Sequence, residues 1–352
     1  MLKKKIRVLV VDDSALIRKI LEDGLNRDPG LTVVGTASDP YMARDKILEL
    51  RPDVMTLDVE MPRMDGVEFL RRLLPQYPIP VVMLSALTQK GKSITMDALE
   101  AGAVDFVTKP SSNTERSLAQ VLNELCTKIK IASMVNLSHF QHRGPSPTHA
   151  VSKGRKSLAE STDKVVAIGA STGGTEALRC VLSEFPSDTP GVVVVQHMPS
   201  GFTRMFSERL NTLCSMEVRE AQHGDRVLSG RILIAPGGMH MRVKRSGGVY
   251  QVECEPGEKV SGHCPSVDVL MASVAEQVGG NAVGIILTGM GHDGSDGLLA
   301  MRQSGAHTVV QDEATSVVFG MPKVANEKGG AECMRPIGKI AATAMKFLGH
   351  RE

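Results

Sequence analysis

A chain of 352 residues exceeds the roughly 100–200 of one domain, so two domains are expected. Apolar residues make up 42% and charged residues 23%, with a formal net charge of +2, which excludes a disordered or fibrous chain and argues against a dominant nucleic-acid surface. No apolar run reaches the roughly 18 residues of a transmembrane helix, and the run behind Lys3, Lys4 and Lys5 breaks at Asp12-Asp13, too short for a signal peptide, so a cytoplasmic protein without membrane insertion is expected.

The first half alternates short apolar runs with helical spacing. Runs at 6–11, 31–37, 53–57, 81–84 and 103–108 read as strands. Residues 14–28 read as a helix with Leu16, Ile17, Ile20, Leu21 and Leu25 on one face. Five strands alternating with helices predict a parallel sheet covered on both faces.

Asp12 and Asp13 follow the first strand, and Asp58 follows the third. Carboxyl ends of neighbouring parallel strands lie side by side, so the three carboxylates converge. Like charges so placed want a hard divalent cation, and Mg²⁺ suits carboxylates, waters and phosphoryl oxygens. Ser85 ends the fourth strand and Lys109 the fifth, which adds a hydroxyl and an ammonium to the same pocket. Such a set suits phosphoryl transfer to a carboxylate.

The segments VVDDS, LDVEMPRMDG, LSA and TKP resemble, in order and spacing over residues 5–125, the response-regulator receiver domain of two-component signalling. The resemblance implies Asp58 as phospho-acceptor, with Asp12, Asp13, Asp58 and the Glu60 backbone carbonyl as Mg²⁺ ligands. It implies Ser85 and Lys109 as switch and phosphate contacts. Glu60 stands where such domains often have Asn, and Phe106 where Tyr is frequent.

From residue 133 to 163 the chain holds six Ser, two Pro and few large apolar residues, with His139, His142 and His149. It reads as a flexible linker, giving domains at 1–130 and 164–352 with the linker at 131–163.

The second half starts a new α/β unit. Strands are expected at 164–168, 192–196, 231–235 and 282–287, with a hairpin over 241–252 turning at Ser246-Gly247-Gly248. A helix over 265–278 carries Pro at its first turn. A doubly wound α/β domain results. Six scattered Cys without a C-x-x-C pair are expected reduced, and His263-Cys264 with Cys254 fits no zinc spacing, so no cofactor is expected here.

Gly169-Ala170-Ser171-Thr172-Gly173-Gly174 follows a strand and opens a helix. As a dinucleotide loop it needs an acidic residue ending the next strand, and that strand ends in Gln196-His197 instead. As a nucleophile turn it gains His197, and the loop after the strand at 282–287 adds Asp293. A serine hydroxyl needs a base to take its proton, and the base needs a carboxylate to fix its tautomer. His292 neighbours Asp293 and competes as base, but adjacent residues rarely point together.

The segments IGASTGGTEAL, VVVQHMPSGFTRMFSERLN, IAPGGMHM, HCPSVDVL, ILTGMGHDG and VVFGMP resemble the CheB family of chemotaxis methylesterases. That resemblance implies Ser171, His197 and Asp293 as catalytic residues and the Thr172 and Met290 backbone amides as oxyanion hole. It implies hydrolysis of glutamate γ-methyl esters on methylated chemoreceptors, with deamidation of some receptor glutamines. It also implies activation through phosphorylation by a CheA-type histidine kinase. A DNA-binding output is disfavoured, since the second half carries 18 basic and 19 acidic residues and no helix-turn-helix signature.

Overall fold

The computed structural model describes residues 4–61, 64–86, 88–109, 117–135 and 163–349. Pro62, Arg63 and Pro110 of the receiver-like segments, and most of the expected linker with its three histidines, lie outside the described residues. The chain divides into two compact units, residues 1–146 and 147–352.

The first unit is a five-stranded parallel sheet in the order β2-β1-β3-β4-β5. Its strands are β1 (Ile6–Val11), β2 (Leu31–Ala37), β3 (Val54–Asp58), β4 (Val81–Ser85) and β5 (Asp105–Thr108). Helices α1 (Ala15–Leu25), α2 (Pro40–Leu50), α3 (Gly66–Leu73), α4 (Gln89–Ala101) and α5 (Leu118–Ala132) connect and follow them. β3 and β4 are buried along their whole length, as strands covered on both faces must be. Side chains of Ser14, Asp39, Asp65, Thr88 and Ser117 accept from first-turn N–H groups that the helices cannot satisfy themselves.

Two expectations are corrected here. The first helix ends at Leu25 rather than at 28, and Leu16 is 69% exposed, so the apolar face is left to half-buried Ile17 and Ile20 with buried Leu21 and Leu25. The last strand begins at Asp105 rather than 103. Gly102 caps α4 at φ 116° and Ala103 N donates back to Ala98 O, so both residues belong to the helix end.

The second unit is a seven-stranded parallel sheet ordered β14-β13-β12-β6-β7-β9-β8. β6 (Val165–Ala170) stands at the centre with β7 (Gly191–Gln196) on one side and β12 (Ala282–Ile286) on the other. β9 (Arg231–Ile234) and β8 (Glu217–Glu220) extend one edge, and β13 (His307–Gln311) and β14 (Cys333–Arg335) the other. The chain thus winds outward both ways from β6, which opens a crevice at its carboxyl end. β10 (His240–Ser246) and β11 (Val249–Glu255) pair as the expected hairpin. The helices are α6 (Gly174–Ser183), α7 (Phe202–Leu213), α8 (Val267–Gln277), α9 (Ser295–Gln303), α10 (Met321–Glu327) and α11 (Ile337–Phe347).

α8 begins after Ser266, whose side chain accepts from Val269 N, so Pro265 precedes the cap instead of occupying the first turn. This helix lies hard against the central strand. A Cβ on Gly169 would fall 2.2 Å from Val267 Cγ1. Among the described residues, no helix is long and apolar enough to cross a membrane.

Candidate functional site

In the first unit, β1 and β3 are neighbours; Asp12 directly follows β1 and Asp58 ends β3. Oxygens of Asp12, Asp13 and Asp58 all lie within 4.8 Å of one another. Lys109, just past β5, places Nζ 2.8 Å from Asp12 Oδ2 and 2.8 Å from Asp58 Oδ2. Burial pushes the Asp58 carboxyl up to about 6; Lys109 pulls it down, Asp12 pushes it further up, and the Glu60 N–H at 3.4 Å helps the anion slightly. One ammonium shared between buried carboxylates is too little positive charge. The donor set, hard oxygens with a net deficit of cation, therefore fits Mg²⁺.

Ser85 is buried at the end of β4, but its hydroxyl is engaged elsewhere. It donates to Ala86 O at 3.2 Å or Gly91 O at 3.3 Å and accepts from Thr95 Oγ1. Its backbone carbonyl accepts from Lys109 N, which fixes the lysine beside the carboxylates. Phe106 is buried in β5.

In the second unit, Ser171 directly follows β6, His197 directly follows β7, and Asp293 sits in the loop after β12. Ser171 N donates to Thr288 O and His197 N donates to Ala170 O, so the three loops are laced together at their roots. His197 Nε2 lies 2.7 Å from Asp293 Oδ2. A carboxylate only accepts, so Nε2 carries the proton and Nδ1 of the neutral ring is the free base. Nδ1 is buried without a hydrogen-bond partner.

Asp293 is held at every point. Oδ1 accepts from Ser266 Oγ at 2.7 Å and Asp268 N at 3.0 Å, and Oδ2 accepts from Val267 N at 2.8 Å besides His197. Burial alone would push this carboxyl up; the His197 hydrogen bond and charge, with the α8 amides, outweigh it and hold it below the usual carboxylate range. His292, the competing base, is exposed, and none of these contacts is its own.

The turn that carries Ser171 is shaped by glycines. Gly173, at φ 77°, caps α6, whose positive end faces the crevice. A Cβ on Gly289 would fall 2.8 Å from Ser171 Cβ and 2.3 Å from Met321 Sδ. Met290, the next residue, is 40% exposed. Thr172 is buried, and its carbonyl accepts from Thr288 Oγ1.

Several contributors were invisible in the sequence. Gln196 is buried and donates through Nε2 to Ser171 O at 2.9 Å. Gln311 Oε1 accepts from Thr288 N. Ser266 and the α8 amides grip Asp293, and the His263 ring stacks on His197 with centroids 3.6 Å apart. The one signal available was the SVD of HCPSVDVL, a helix start with a Ser cap. His263, Cys254 and Cys264 form no metal cluster; among the described residues the acidic pocket is the only such group.

Residues 166–344 match the CheB methylesterase family, and residues 8–122 match the response regulator receiver domain. The chain is 63% identical over 349 residues to the protein-glutamate methylesterase/protein-glutamine glutaminase of Syntrophotalea carbinolica, and 52% over 350 residues to that of Sulfurimonas denitrificans. Each match covers 99% of both chains. The crystal structure of the Thermotoga maritima CheB methylesterase catalytic domain aligns with a TM-score of 0.51 at 36% identity, over 52% of this chain and 97% of that one.

Proposed function

The chain belongs to the CheB methylesterase family, with a response-regulator receiver domain ahead of the catalytic one, and from that premise we propose a phosphorylation-activated serine esterase that hydrolyses glutamate γ-methyl esters on chemoreceptors. The observation that carries this reading is the 2.7 Å pair of His197, just past β7, and Asp293, in the loop after β12, on strands flanking the one that Ser171 follows, with His197 Nδ1 left buried and unbonded.

Ser171 Oγ attacks the γ-carbonyl carbon as His197 Nδ1 takes the hydroxyl proton. Asp293 holds the ring tautomer and stabilises the imidazolium. The N–H groups of Thr172 and Met290 receive the oxyanion. The C–O bond to the methoxy group breaks, His197 returns the proton, and methanol leaves. Water, deprotonated by His197, then hydrolyses the Ser171 ester and frees the glutamate. A receptor glutamine follows the same steps with ammonia leaving.

In the receiver, Asp58 is the phospho-acceptor and a CheA-type histidine kinase the donor. Asp12, Asp13, Asp58 and the Glu60 carbonyl would hold Mg²⁺, which supplies positive charge to offset the phosphoryl oxygens. Lys109 adds its ammonium to the same charge, and Ser85 turns from Gly91 to the phosphoryl group. With no helix able to span a bilayer among the described residues, the reading places the enzyme in the cytoplasm, where the signalling ends of receptors lie.

Methanol release from membranes carrying methylated receptors tests the reading. A methylesterase releases it; a receiver whose output domain only binds a partner does not.

A further inference from the structure

His263 lies outside the mechanism above, yet its ring is stacked on the base. The two imidazoles are 3.6 Å apart between centroids and within 7° of parallel. Such a stack covers one face of His197 and blocks rotation of its plane.

The chain spends conformational strain to deliver this ring. Val260 and His263 exchange both backbone hydrogen bonds, at 3.0 and 2.9 Å. The two residues between them are both left-handed, Ser261 at φ 51° and Gly262 at φ 83°. Left-handed serine is unfavourable and persists where surroundings enforce it. Ser261 Oγ lies 3.1 Å from Asp268 Oδ2. Asp268 in turn accepts at Oδ1 from Asp296 N and Gly297 N at the start of α9, and its own N–H donates to Asp293 Oδ1. The turn that carries His263 is thus tied to the carboxylate that orients His197, and the base is held at its edge and on its face by one connected group.

We propose that His263 is a positioning residue for this esterase: its stacked ring fixes the plane of His197 and so holds the unbonded Nδ1 in the orientation from which, in the proposed mechanism, it takes the Ser171 proton. The inference rests on the serine-esterase reading. The imidazolium that forms during attack also lies over a π face, which favours it. Neither effect needs the His263 nitrogens, so a phenyl ring serves in its place.

The test uses the full chain with a small phosphodonor and Mg²⁺, measuring methanol release from methylated receptor membranes. His263→Ala is expected to lower kcat about tenfold with KM within about twofold, and His263→Phe to recover kcat to within about threefold of wild type. Should the alanine variant not fold, His263→Gln against His263→Phe makes the same comparison of no ring with ring. A ringless variant with wild-type kcat, or a phenylalanine variant no faster than the ringless one, overturns the proposal. Ser171→Ala run beside them separates the two levels. If it is inactive while His263→Ala is normal, only this inference falls; if it is active, the esterase reading falls.

Discussion

Asp58 and Asp293 are both buried carboxylates, and their surroundings drive them in opposite directions. Asp293 receives four donors, so its anion is held and its carboxyl lies below the ordinary range despite burial. Asp58 shares one ammonium with Asp12, so burial wins and the carboxyl rises from 3.8 to about 6. A raised carboxyl stabilises the fold where it is protonated, and that contribution is lost as pH rises through about 6. A rise from 3.8 to about 6 corresponds to about 3 kcal/mol lost between pH 4 and pH 7. Asp58→Asn is therefore expected to raise the unfolding midpoint of the first unit at pH 7, with the gain gone by pH 4. Mg²⁺ should stabilise wild type at pH 7 more than this variant. Calorimetry at both pH values checks this; equal pH dependence in the two proteins contradicts it. At Asp293, replacement by Asn keeps the shape but loses the acceptor that fixes the His197 tautomer. Methanol release should fall about 10⁴-fold, as in other hydrolase triads. A loss under tenfold in single-turnover assays would remove Asp293 from the mechanism.

Among the elements, the strand ends gather the candidate site residues, and they were legible because polar residues stop apolar runs abruptly. Asp12, Asp58, Ser85, Ser171 and His197 each end such a run or directly follow it. In the second sheet the outer strands β8, β13 and β14 were not legible. β8 is Glu-Val-Arg-Glu with only Val218 fully buried, and β14 has three residues, none fully buried. β13 has one apolar pair, Val309-Val310, and gains its strand form by lying between β12 and β14. Ser266 and His263 act across 27 and 66 residues of chain, on Asp293 and His197, a pairing that periodicity does not encode. The glycine at 289 was legible as a loop residue, though not as the neighbour of Ser171. Since its Cβ would meet Met321 Sδ at 2.3 Å and Ser171 Cβ at 2.8 Å, Gly289→Ala should displace Ser171, the proposed nucleophile. A displacement near 1 Å costs roughly 10²-fold in kcat. An alanine variant with wild-type kcat would show that the loop gives way instead.

The whole molecule joins a response-regulator receiver unit to a methylesterase unit in one chain, and the family assignment covers both. If phosphorylation at Asp58 shifts the esterase between two states, a coupling of about 1–3 kcal/mol changes activity roughly 5–150-fold. A small phosphodonor with Mg²⁺ is therefore expected to raise methanol release by wild type within that range and to leave Asp58→Asn unchanged. Equal stimulation of both proteins would move the acceptor elsewhere. The central claim is that this chain is a methylesterase whose nucleophile is Ser171. Its most direct test is methanol release from methylated receptor membranes by wild type and Ser171→Ala, both treated with phosphodonor. Ser171→Ala should fold normally and lose about 10⁶-fold in turnover; retention of more than about a tenth of wild-type turnover, well above the background a triad enzyme keeps without its nucleophile, would contradict the account.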